Sequence, residues 1–188
     1  MHSGLGFDYS KTMASSGSVL LDNETDYIAA INSAAKQLNI GQVKDHQRNG
    51  LLELLKGNDI FVSLPTGYGK SLIFHGAPLC RDFINARKGI RGQRSLAIVV
   101  SPVVALIQDQ IHHLKRANVN ALYLHGMGDM SWNTNIRDIK EGKYSIVFAS
   151  PETLSTRSVK DLLASSEVRD NICGIFVDEC HCISKWYV

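Results

Sequence analysis

At 188 residues, 44% of them apolar and 20% charged, the chain has room for one sizeable core and little more. A formal net charge of +2 is too mild to announce nucleic acid by itself, and no apolar run approaches the length of a bilayer span. There is no charged-then-apolar leader, and the four cysteines at 80, 173, 180 and 182 form no Cys-x-x-Cys pair, so a reduced intracellular protein is expected rather than a secreted or zinc-built one.

Residues 1–22 are rich in Ser and Gly without periodicity and read as a flexible tail ahead of one domain at 23–188. Asn23 offers an N-cap, and Glu24 and Asp26 suit a first helical turn. Ile28, Ile31, Ala35 and Leu38 then recur at helical spacing until Gly41 breaks the pattern. A second helix is predicted from about Asp45 to Lys56, with Gly57 as its stop. Gln47 lies in its first turn, and by spacing alone it reads as a solvated side chain.

Ile60 to Leu64 is a short apolar run of the kind that makes a buried parallel strand. It ends at Pro65, passes Thr66, Gly67, Tyr68 and Gly69, and reaches Lys70 and Ser71 where a helical pattern begins. That order is a phosphate-binding loop. Glycine lets backbone N–H groups close around phosphates, and a helix N-terminus aims its positive dipole at them. Lys70 would reach the β/γ-phosphates and the Ser71 hydroxyl would hold Mg²⁺, although Leu64 stands where the usual pattern has a glycine. The loop is expected to bind a nucleoside triphosphate.

The helix that follows carries Leu72, Ile73, Phe74, Ala77, Cys80, Phe83 and Ile84, with Pro78 expected to kink it or split it. Asn85 to Arg94 reads as a polar loop whose Arg87, Lys88, Arg91 and Arg94 favour a solvated turn over phosphate contact. Further strands are predicted at Leu96 to Val100, Val119 to Leu124, Tyr144 to Ala149 and Ile172 to Val177, with helices at about 103–117, 131–141 and 152–165. Five strands alternating with helices predict an α/β fold with a mainly parallel central sheet and helices on both faces. Ligands of such sheets gather beyond the carboxyl ends of the strands.

Two of those ends carry chemistry. Asp178 and Glu179 emerge together after a buried run: Asp178 suits a Mg²⁺ anchor, and Glu179 can position and deprotonate an attacking water. Alone the pair is equally a polar strand end, but beside the Lys70 loop it points to hydrolysis of a triphosphate. Ser101-Pro102 and Ser150-Pro151 each follow a strand, with Ser placed to cap a helix and Pro to occupy its first position. The two helix starts give either plain capping or a row of donors that grips a nucleic-acid backbone.

Leu64-Pro65-Thr66-Gly67-Tyr68-Gly69-Lys70-Ser71-Leu72, Val100 to Gln110, Ala149-Ser150-Pro151-Glu152 and Val177 to Trp186 resemble, in order and spacing, successive motifs of RecQ-type DNA helicases of superfamily 2. The run from His181 to Trp186 is the most family-specific piece. The resemblance implies a RecA-like three-layer sandwich, ATP and Mg²⁺ as cofactors, and DNA as partner, with 3′-to-5′ translocation by the complete enzyme. It gives Gln47 the role of adenine recognition and matches Asp178-Glu179-Cys180-His181 to the Asp-Glu-Ala-His box, with Cys180 in place of Ala. His181 would couple hydrolysis to DNA, and Trp186 would begin an aromatic loop that senses single strands. Ser101 and Pro102 match a DNA-backbone motif, Ser150 joins them as a candidate, and Gln108, Asp109 and Gln110 are expected to support that helix. Val43 stands where the family has an aromatic residue.

After Trp186 the chain gives Tyr187-Val188, without the family's second motor domain, zinc-binding segment or winged helix. A fragment or truncated relative is therefore expected, unable to unwind DNA alone, because the second domain's arginine finger is worth ~10³–10⁵ in rate in comparable systems. Two rival readings stand beside the motor: a non-enzymatic truncated module holding ATP or DNA, and another superfamily 2 helicase acting on RNA. DNA-stimulated turnover separates the first from a motor, and the His181-to-Trp186 run argues against the second. A nuclear location follows from the resemblance alone, and no membrane partner is expected given the lack of a bilayer-length apolar run.

Overall fold

The computed structural model describes residues 23–65, 67–90, 92, 94–126 and 130–179; the reading of the 1–22 tail lies outside them. Helix α1 (Glu24–Gln37) begins where Asn23 accepts a hydrogen bond from the Asp26 N–H at 2.9 Å, and α2 (Asp45–Leu55) ends before Gly57 at φ 86. Next come α3 (Ser71–Arg87), β1 (Leu96–Val100), α4 (Val104–Arg116) and β2 (Ala121–Leu124). Then follow α5 (Trp132–Lys140), β3 (Ile146–Ala149), α6 (Pro151–Ser155), α7 (Arg157–Ala164), α8 (Ser166–Arg169) and β4 (Ile172–Val177).

The four strands form one parallel sheet in the order β2-β3-β1-β4. Val100 pairs with Ala149 on one side and Val177 on the other, so three strands end level and whatever follows them shares one rim. Alternation along β1 divides the core. Ala97 and Val99 join α1, α2, α3 and α4 on one face, whereas Leu96 and Ile98 pack with Ile139, Val159, Leu162 and Val168 from α5, α7 and α8 on the other. The result is the expected three-layer α/β sandwich. Phe74 pins α3 to the sheet, meeting Phe148 edge-on at 6.4 Å and Phe176 at 6.0 Å between centroids.

Several expectations change. The Ile60–Leu64 run is not a strand: it lies outside the sheet, with Phe61 81% exposed. A strand is made by its neighbours, and among the described residues β4 has a partner on one edge only, leaving Ile175 and Val177 exposed as well. α1 ends at Gln37 with Leu38 as its C-cap, and Asn39 then takes the left-handed conformation at φ 56, before Gly41 is reached. Pro78 sits inside an unbroken α3, where burial of Leu72 to Pro78, Cys80 and Ile84 outweighs the one missing N–H. α3 also runs on through Arg87, which pairs with Asp26 at 2.9 Å, so the polar turn is shorter than its sequence suggests. The 152–165 helix divides at Thr156, which is extended. Cys80 and Cys173 are free thiols that burial pushes up to about 12, and Cys180 and Cys182 lie outside the described residues.

Candidate nucleotide site

The loop before α3 turns on two glycines in the left-handed region, Gly67 at φ 84 and Gly69 at φ 81. The Leu72 N–H then donates to the Gly69 carbonyl and the Ile73 N–H to that of Lys70, winding the first turn of α3. Lys70 is the N-cap residue, so its own side chain rises beside the helix start, where its ammonium donates to the Leu64 carbonyl at 3.0 Å.

Gln47 does not behave as a solvated side chain. It is 5% exposed; its Oε1 accepts from the Lys44 N–H and its Nε2 donates to the Gly69 carbonyl, both at 2.9 Å. A Cβ at position 69 would run into Gln47 Nε2, so Gly69 is needed for close approach as well as for its φ. Two neighbours that carried no sequence signal join it. The His46 ring meets the Tyr68 carbonyl at 3.0 Å, and the Lys44 ammonium stands 5.5 Å from the centre of the Tyr68 ring. Tyr68 itself is half exposed. The start of α2 is thus stitched to the loop at three points.

Across from the loop, the Asp178 N–H donates to the Val100 carbonyl at 2.9 Å, prolonging the β1–β4 ladder to the sheet rim. Its carboxylate is bonded at both oxygens, to the Glu179 N–H at 3.1 Å and to Gln110 Nε2 at 3.4 Å. Partial burial pushes the Asp178 carboxyl above its usual range; the Gln110 bond and, more weakly, the Lys70 charge pull the other way. Glu179 holds φ 56. Lys70, Asp178 and Glu179 line a single crevice of about 830 Å³, which continues between the Ile60–Leu64 run and β4. The hydroxyl of Ser71 and the carboxylate of Asp178 are hard oxygen donors of the kind Mg²⁺ takes, so the donor set fits that ion.

The two serines part company. Ser150 caps α6, accepting from the Thr153 N–H at 3.2 Å with Pro151 in the first turn, and its hydroxyl draws the Glu152 carboxyl below its ordinary range. Ser101 caps nothing. α4 starts at Val104 with Val103 as N-cap, and Ser101 is fully buried, its Oγ without a partner among the described residues. Its backbone N–H is taken by the Ala149 carbonyl at 3.1 Å, so its place is beneath the rim and Pro102 is the more open of the two. Thr66, His181 and Trp186 lie outside the described residues.

Residues 44–188 match the family model described as DEAD/DEAH box helicase. The chain belongs to the DEAD/DEAH box helicase family. Among curated relatives it is 31% identical over 133 residues to the ATP-dependent DNA helicase RecQ of Haemophilus influenzae, covering 70% of this chain and 19% of that protein. It is 34% identical over 134 residues to the ATP-dependent DNA helicase RecQ of Synechocystis, covering 71% and 25%. To the bifunctional 3′-5′ exonuclease/ATP-dependent helicase WRN of Mus musculus it is 35% identical over 128 residues, covering 68% and 8%. The helicase-family chain therefore spans a quarter or less of the length of these three relatives. Among the described residues, no helix is long and apolar enough to cross a membrane.

Proposed function

We propose that this chain is the ATP-binding motor domain of a RecQ-type DNA helicase, hydrolysing ATP on DNA and, within a complete enzyme, driving 3′-to-5′ unwinding. The observation that carries this reading is the single crevice lined by Lys70, Asp178 and Glu179. Gln47, already locked to Gly69, reads the adenine edge, and residues 66–71 surround the phosphates. Lys70 exchanges the neutral Leu64 carbonyl for phosphate oxygens, a stronger charge-assisted bond. Ser71 and Asp178 would hold Mg²⁺, which neutralises charge on the β- and γ-phosphates when bound. Glu179 orients the attacking water and takes its proton. Pro102, Ser150 and Trp186 would contact the DNA, Ser101 shapes the turn beneath the sheet rim, and His181 would couple hydrolysis to DNA. DNA as partner, a second motor domain in the complete enzyme and a nuclear place of work belong to the same proposal.

Binding of a fluorescent ATP analogue and turnover with and without single-stranded DNA test it. Lys70→Ala should abolish analogue binding, whereas Glu179→Gln should keep binding and cut DNA-stimulated turnover by about 10²-fold or more. A Lys70→Ala chain that binds like the wild type, or a wild type that binds nothing, overturns the reading.

A further inference from the structure

Three side chains far apart in sequence form a continuous line behind the site. His75, on α3, meets Gln110 Oε1 through its Nε2 at 3.2 Å, and Gln110 Nε2 donates onward to Asp178 Oδ2 at 3.4 Å. We infer that Gln110 is a positioning residue for the Asp178 carboxylate and that His75 fixes which way its amide points. The inference rests on the nucleotide-site reading above and names residues that reading does not use.

The chemistry sets the direction of the relay. An ionised carboxylate only accepts, so the amide must turn its NH₂ end to Asp178 and its carbonyl to His75. His75 must then carry its proton on Nε2. The imidazole is sealed at 5% exposure with the Phe74 ring edge-on at 4.9 Å, and burial lowers its pKa to about 4, so it serves as a neutral donor. The reversed amide would set oxygen against oxygen at Asp178. With Glu179 N–H on Oδ1 and Gln110 on Oδ2, the plane of the carboxylate is set and its remaining lone pairs are left for the crevice. α4 does not need this bond to fold, because Ile107 and Leu114 are fully buried and anchor it. Gln110 therefore spends a half-buried side chain on aiming Asp178 rather than on packing.

Titrating Mg²⁺ against the 188-residue chain with a fluorescent ATP analogue, alongside an EDTA control, tests the role. Gln110→Ala should bind the analogue in EDTA as the wild type does, yet need about tenfold more Mg²⁺ for half of the metal-dependent gain. Gln110→Asn, which keeps the amide but shortens its reach, should show the same loss if the alanine variant folds poorly. His75→Phe should move in the same direction, and His75→Gln, which returns a donor at a similar reach, should restore the wild-type requirement. Nitrogen NMR of His75, without metal or nucleotide, should show the Nε2–H tautomer, with that proton's shift changed by Gln110→Ala. Wild-type Mg²⁺ dependence in Gln110→Ala, or an Nδ1–H tautomer, overturns the relay while leaving the nucleotide site standing. Failure of the wild type to bind the analogue overturns the site instead, and the tautomer still judges the relay.

Discussion

Leu96–Val100 and Ile60–Leu64 are close to interchangeable as sequences, each a short apolar run containing Val and Ile. β1 is the dry centre of the sheet, with Ala97 and Val99 wholly buried, while the other run lies outside it with Phe61 bare. Their neighbours differ. β1 is bonded to β3 on one side and β4 on the other, whereas the Ile60–Leu64 run looks across a crevice at β4 and pairs with no strand among the described residues. Strand propensity is a readiness to fit a pleated, half-buried surface, and the surface has to be supplied from elsewhere in the chain.

Charge is the severest way to break that comparison. Ile98→Asp puts a carboxylate into the sealed middle of the sheet and should cost about 4 kcal/mol or more, whereas Phe61→Asp should stay within about 0.5 kcal/mol. Urea unfolding reads both, and equal losses would mean that the outer run is buried in solution. Acid comes next. His75 is buried beside the central strands with its pKa lowered from 6.5 to about 4, so between those values the unfolded chain binds the extra proton and the folded one does not. Stability should fall as pH drops from about 6.5 toward 4, by about 3 kcal/mol in all, and His75→Phe should flatten that part of the melting-temperature profile. A milder loss than either Ile98→Asp or acid belongs to neither region: Asn23→Ala removes an exposed cap and should cost about 1 kcal/mol by thermal melting, a local yardstick for those two.

What could be read from the sequence was what short stretches decide for themselves. Asn23 caps, Gly57 stops α2 and β4 spans Ile172–Val177 as expected, because cap chemistry, left-handed turns and buried apolar runs need few residues. The three-layer order followed from alternating elements. Partners remote in sequence stayed hidden. Gln47 showed no sign of its bond to Gly69, and Ser101 looked like Ser150 although one is sealed beneath the rim and the other caps a helix. Pro78 looked like a break because a local rule cannot weigh the core around α3. Gln110 looked like support for its own helix because neither His75 nor Asp178 is near it in sequence.

Glu179 occupies backbone space that an L-residue enters only at a cost of about 1–2 kcal/mol, and that glycine enters freely. Backbone comfort there asks for glycine, whereas the proposed water-activating role asks for a carboxylate. Under the role proposed for Glu179, a descendant kept only to hold its nucleotide would gain durability by giving up this carboxylate.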